Sequence, residues 1–151
     1  MRPDFRSILS SFLKTTLRRA VFFVSVFVFF VSFAQFFRVF LSSRFEQAVC
    51  NFGVGLGITF STFFLWFVLL LFLMFLFLFF FWSLRLKNRF FLSLSLIVLC
   101  SGAVSNIIDR VIFGCVVDYI SVSSFPAFNV ADVFVSLGAF GTVLCVLFWW
   151  E

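Results

Sequence analysis

Apolar residues gather into four runs, at about 20–37, 60–82, 90–108 and 132–150, with polar and charged positions confined to the ends and the breaks between them. At a rise of about 1.5 Å per residue each run approaches the roughly 30 Å hydrocarbon thickness of a bilayer, so the pattern predicts an all-α integral membrane protein with four transmembrane helices. The second run is the most uniform. From Phe63 to Trp82 twenty consecutive residues are apolar without a periodic stripe, as expected where lipid-facing positions accept any large apolar side chain. The first run follows a basic stretch, as the core of a signal peptide does. It exceeds the usual core of roughly 7–15 residues and no A-x-A-like site follows it, so it is predicted to remain as a helix. No repeat, heptad array or linker interrupts the chain, and the only prolines are Pro3 and Pro126. Residues 1–151 are therefore expected to form one polytopic membrane domain.

Composition identifies the solvent. The 151-residue chain is 64% apolar and 11% charged and contains 31 Phe, with mean hydropathy +1.26, whereas ordinary soluble domains are about 25% charged. A water-soluble body is excluded. The net charge of +5 would suggest nucleic acid in a soluble protein, yet eight of the eleven basic residues fall in two patches. Arg2, Arg6, Lys14, Arg18 and Arg19 precede the first run, and Arg85, Lys87 and Arg89 follow the second. That distribution orients a membrane protein, so both patches and both termini are predicted to be cytoplasmic, with residues 38–59 and 109–131 outside. No nucleic-acid partner is expected. Arg38, Arg44 and Arg110 run mildly against the bias, and the short inner break has room only to turn the chain.

Four cysteines occur singly, at Cys50, Cys100, Cys115 and Cys145, and there is no histidine. No metal site and no cofactor are expected. Cys50 and Cys115 are read as two buried thiols filling apolar space, with a disulfide as the alternative if both face an oxidising compartment.

The chemistry is concentrated in the acids. Of six acidic residues, Asp109, Asp118 and Asp132 fall within 24 positions at the outer ends of the third and fourth runs. An ionisable group inside a span costs about 2.5–3.5 kcal/mol even on lenient insertion scales, so such groups face a bundle interior or wet cavity and have partners. Asn106, Asp109 and Arg110 share one helical face by spacing, and Asp109 beside Arg110 reads as a neutralised pair closing a helix. Asp118 has no basic neighbour in sequence, and its bland reading is a solvated loop carboxylate. Asn129 and Asp132 have the spacing of a helix N-cap and an acid favoured by the helix dipole, a role compatible with catalysis because a helix start aims its side chains rigidly. Two carboxylates brought close cannot both ionise freely, so together they supply a general base for water and a general acid for an amide carbonyl. With no histidine and no G-x-S-x-G, aspartyl hydrolysis is the simplest catalysis the chain supports.

The residues that carry this chemistry resemble a known family. Ser101-Gly102-Ala103-Val104-Ser105-Asn106-Ile107-Ile108-Asp109-Arg110, Gly114, Val116-Val117-Asp118-Tyr119-Ile120, Phe125-Pro126-Ala127-Phe128-Asn129-Val130-Ala131-Asp132 and Gly138 are similar in order and spacing to the bacterial lipoprotein signal peptidases, or signal peptidase II. A weaker echo lies at Asn51-Phe52-Gly53-Val54-Gly55-Leu56-Gly57. The resemblance implies four transmembrane helices with a small extracytoplasmic β/loop element in the bacterial cytoplasmic (inner) membrane. It also implies an aspartic endopeptidase that removes signal peptides from diacylglyceryl-modified prolipoproteins, on the amino side of the lipidated cysteine. Asp118 and Asp132 would be the catalytic dyad and Asp109 a supporting residue beside Arg110. Asn51 and Arg110 would position substrate, with Asn106 and Asn129 as polar supports. The implied partners are lipid-modified prolipoproteins and membrane lipid, and a monomer is expected.

Three departures accompany the resemblance. The family usually carries an Asp before a Gln and a basic residue near the outer end of the first helix, where this chain reads Phe33-Ala34-Gln35-Phe36-Phe37-Arg38. Ser105 stands where Gly is usual, and the amino-terminal stretch to Arg19 is longer. Asp109 with Asp132 is the rival dyad. The alternative from another class is a non-catalytic membrane helper whose outer carboxylates bind a partner or cation. An intramembrane protease of the presenilin type would need a G-x-G-D motif, and the chain has none.

Overall fold

A computed structural model describes residues 5–42, 48–53, 62–85, 90–122 and 125–148. They form α1 (Phe5–Ser42), β1 (Val49–Asn51), α2 (Thr62–Arg85), α3 (Phe90–Phe113), β2 (Val116–Asp118) and α4 (Val130–Leu147). Leu17–Ser42 of α1, α3 and α4 are each long and apolar enough to cross a membrane, and α2 contains the shorter apolar stretch Trp66–Trp82. The 24 residues of α2 rise about 36 Å, so the four-helix expectation holds.

The boundaries differ from the apolar runs for identifiable reasons. α1 begins well before residue 20, because Arg6, Lys14, Arg18 and Arg19 are good helix formers that extend the rod beyond its apolar part. α3 continues past residue 108, and its last turn carries Asp109 and Arg110, which have partners there. It stops at Gly114, whose φ of 76° suits a left-handed cap and whose N–H donates to the Arg110 carbonyl at 3.0 Å. α4 starts at Val130 because Asn129 caps it. The run starts at 60 and 61, the run end at 149 and 150, Lys87, Arg89, Arg44, and residues 54–57 of the weaker echo lie outside the described residues.

α3 is the hub, packing against α1, α2 and α4. Its approach to α4 depends on small residues, as is usual where no water drives helices together. A Cβ at Gly138 would fall on the Leu99 backbone, and one at Gly102 on the Ala131 carbonyl. Leu76, Leu92, Leu96 and Leu99 form the core between α2 and α3, while Ala34, Ala131 and Phe134 close α1 against α4, with the Phe30 and Phe134 rings edge to face at 4.8 Å. Outward faces carry Phe29, Phe36, Phe63, Phe75 and Phe77, an apolar surface that only lipid covers at low cost.

At the end of the bundle where α1 and α3 finish and α4 starts, β1 pairs antiparallel with β2. The register sets Cys50 opposite Val117 and Asn51 opposite Val116. Alternation therefore sends Cys50 to one face of the ribbon and Asn51 to the other. Cys115 lies diagonal to Cys50, with Cα atoms 5.6 Å apart, and the two form a disulfide. The expectation of two free buried thiols is corrected. Cys50 is exposed at the ribbon, and it is strand pairing, which spacing did not reveal, that brings the sulfurs together.

Candidate active site

The ribbon face opposite the disulfide carries Asp118. Its neighbours Val116 and Tyr119 are buried, and Asp118 itself is only 2% exposed, so the solvated-loop reading is overturned. Asn51, diagonal to it across the ribbon, donates from Nδ2 to Asp118 Oδ2 at 2.9 Å. The Asn51 amide is fixed in that sense because its Oδ1 accepts the Gly53 N–H at 2.9 Å. The other carboxylate oxygen accepts from Asn129 Nδ2 at 2.9 Å. Burial pushes the Asp118 carboxyl above its ordinary value and the charge of Asp132 adds to this, while the Asn51 and Asn129 amides and Arg110 pull it back.

Asn129 and Asp132 form a complete capping box at the start of α4. Asn129 Oδ1 accepts the Asp132 N–H at 3.0 Å, and Asp132 Oδ2 accepts the Asn129 N–H at 3.1 Å. The predicted cap is therefore present, and it leaves Asp132 Oδ1 free to accept from Asn106 Nδ2 at 2.8 Å. Asn129 Nδ2 also donates to Asn106 Oδ1 at 3.2 Å. Two amides thus tie Asp118, on the ribbon, to Asp132, on α4, through Asn106 on α3. Tyr119 OH completes the helix start by accepting the Val130 N–H at 3.2 Å.

Asp109 and Arg110 part company. Successive residues on a helix point about 100° apart, and the expected Asp109–Arg110 pair does not form. Asp109 turns to α1, where Arg38 Nε lies 3.2 Å from its Oδ1 and Gln35 Nε2 donates to the same oxygen at 3.2 Å. Gln35 also donates to the Ser105 carbonyl at 3.2 Å and accepts from Arg38 Nε at 2.9 Å. With these partners Asp109 is committed to holding α1 against α3. Arg110 turns toward the segment after β1, donating to the Gly53 carbonyl at 2.8 Å and to the Asn106 carbonyl at 3.3 Å. Its Nε is buried with no hydrogen-bond partner among the described residues.

The site thus brings together Asn51, Asn106, Arg110, Asp118, Asn129 and Asp132, and sets Asp109 to one side. Among the described residues no group of three or more His, Cys, Asp or Glu is placed to hold a metal. The arrangement offers two carboxylates with amide donors aimed at them, beside the Arg110 guanidinium, whose buried Nε has no partner among the described residues.

The family model for signal peptidase (SPase) II matches residues 41–148. The chain belongs to the signal peptidase II family. A lipoprotein signal peptidase of Halothermothrix orenii is 35% identical over 68% of this chain and 68% of its own length. One from Sinorhizobium fredii is 40% identical over 42% of this chain, and one from Chlamydia felis 52% identical over 29%. The chain spans 40% of the S. fredii relative and 29% of the C. felis relative in these matches. Two solved bacterial membrane enzymes share the fold, at TM-scores of 0.69 and 0.70 and 26% and 25% identity. Each covers 83% of this chain, which itself covers 87% and 92% of them.

Within the signal peptidase II family, the Ala34 departure acquires a location. Ala34 is buried against Ala131 and Phe134 and borders a cavity of about 10 Å³ lined also by Gln35, Ser105, Asp109, Tyr119 and Asn129, space for about one water molecule. The roles of Gln35 and Arg38 as the partners of Asp109 were missed from sequence. The signal was present, since i and i+3 on a span is one helical face and Arg38 ran against the charge bias.

Proposed function

We propose that this chain is an aspartic endopeptidase that removes signal peptides from diacylglyceryl-modified prolipoproteins, cutting on the amino side of the lipidated cysteine. The observation that carries this is the pairing of Asp118 and Asp132 through the Asn129 and Asn106 amides at one end of a membrane bundle. The matched relatives are lipoprotein signal peptidases, which agrees with it.

In this mechanism the two carboxyl groups divide the roles of acid and base. Burial and the neighbouring charge favour the neutral form of Asp118, which donates toward the scissile carbonyl oxygen. Asp132 takes a proton from water as that water attacks the carbonyl carbon. On collapse, Asp132 passes the water-derived proton to the leaving nitrogen while Asp118 takes back its own from the former carbonyl oxygen, which restores both groups. Asn51 orients Asp118, Asn106 and Asn129 orient the pair, and the unpaired Arg110 Nε receives a substrate carbonyl. Asp109 acts only through α1 and α3.

The active site is assigned to the extracytoplasmic face of the bacterial cytoplasmic membrane, in a monomer. The charge bias of the inner loops supports this, as does the Cys50–Cys115 disulfide beside the site, since disulfides persist in oxidising compartments. A substrate with acyl chains and an apolar signal helix enters sideways from the bilayer, which fits a site at the membrane end of the bundle. The test is cleavage of a diacylglyceryl-modified precursor and its unlipidated form by wild type, Asp118→Asn and Asp132→Asn. Loss of processing in both variants, with normal insertion and accumulation, is expected. Undiminished processing by Asp118→Asn would remove Asp118 from the dyad, absence of processing by the wild type would replace the protease with a binding role, and equal cleavage of the unlipidated form would overturn the substrate class.

A further inference from the structure

Away from the carboxylate site, α1 and α2 touch edge to face at Phe23 and Phe80 and otherwise part over the face of α3. Between them lies an apolar crevice of about 640 Å³, walled by Ala20 and Phe27 of α1 and Met74 and Phe81 of α2, with Cys100 and Val104 of α3 as its floor. In a bilayer such a space fills with something apolar, and the charges at its end decide what. Arg18 and Arg19, both exposed, immediately precede Ala20. Arg85, Lys87 and Arg89 follow Phe81 in the sequence, and no acidic residue occurs from 5 to 45 or from 47 to 108. An incoming signal helix carries a positive n-region, and a second copy would bring the same arginines, so both are repelled. An anionic headgroup is attracted. About 28 Å of helix separates Arg19 from Arg38, which puts this end of the crevice in the leaflet opposite the carboxylates.

We infer that the α1–α2 crevice binds an anionic phospholipid of that opposite leaflet, with an acyl chain between the helices and the phosphate on Arg19. The lipid would brace α1, which also presents Gln35 and Arg38 to Asp109, so the two ends of one helix would be coupled.

The test is native mass spectrometry of the full chain in micelles doped with phosphatidylglycerol or phosphatidylcholine of matched acyl chains, together with maleimide labelling of Cys100. One retained phosphatidylglycerol per chain is expected, with alkylation of the free thiol of Cys100 slowed at least fivefold by that lipid and alkylation of Cys145 unchanged. At roughly fivefold per basic residue, Arg19→Gln should cut phosphatidylglycerol affinity about fivefold and bring the two lipids closer to parity. Equal retention of both lipids by the wild type would overturn the proposal. So would Cys100–Cys100 cross-linking in lipid vesicles, which would make the crevice a contact between copies.

Discussion

Asn129 holds three relationships at once, and substitution separates them. Its Oδ1 caps α4, and its Nδ2 donates both to Asp118 and to Asn106. In Asn129→Ser the hydroxyl keeps the cap, because Ser and Asn are near equal as N-caps, but the amide donors are gone. A hydrogen bond to the neutral Asp118 carboxyl contributes about 0.5–1.5 kcal/mol, so kcat/KM should fall roughly 2- to 13-fold, with a correspondingly small drop in Tm. Asn129→Ala removes the cap as well and should lose about 1 kcal/mol more stability. The Asn129 amide holds the Asp118 carboxyl down against burial, so its loss raises that carboxyl further and moves the corresponding limb of the pH–rate profile to higher pH. Cleavage of a fluorescent lipidated precursor from pH 4 to 9, with thermal unfolding followed by tryptophan emission, measures both effects. A Ser variant with unchanged kcat/KM and an unmoved profile would reduce Asn129 to a helix cap and refute its part in the dyad.

Because the folded state holds the Asp118 carboxyl above its ordinary value of 3.8, it binds that proton more tightly than the unfolded chain does. Stability should therefore decline as pH rises from 3.8 through the raised value, and unfolding scans across that window should find this slope missing in Asp118→Asn. Reducing the Cys50–Cys115 disulfide, which spans 65 residues, should release about 4 kcal/mol of loop-closure constraint. Tm and kcat/KM measured with and without reductant should both fall, since Asn51 loses its anchor. Gly138→Val should cost about 1–3 kcal/mol by driving a side chain into the Leu99 backbone, with graded loss through Gly138→Ala seen in unfolding scans. Arg38→Met should cost about 3 kcal/mol by leaving Asp109 buried without its cation, and a double-mutant cycle should show Asp109→Asn recovering most of it.

The four helices were legible because lipid imposes one rule, a long apolar run, and Phe63 to Trp82 obeys it without exception. The capping box was legible because its spacing is local. What lay hidden depended on pairs distant in sequence. Asp109 beside Arg110 looked like an ion pair along the chain, but helix geometry turned the two apart and gave Asp109 to Arg38. Cys50 and Cys115 carried no spacing signal, and only the register of two three-residue strands joined them. The side chains that cluster there, Asn51, Asn106, Arg110, Asp118, Asn129 and Asp132, are all among the candidates the sequence offers, although their hydrogen-bond directions required coordinates. Asn106 shows why, since its amide serves Asp132 with the nitrogen and Asn129 with the oxygen.

The capping box at Asn129 and Asp132 joins biosynthesis to reactivity. The same two side chains that start the fourth helix also align the acid pair, so neither event is complete without the other. During translation the first three helices are made before this one exists, and a nascent chain at that stage lacks the link from Asp118 through Asn129 and Asn106 to Asp132. Under the proposed function, competence therefore arrives only with the final insertion.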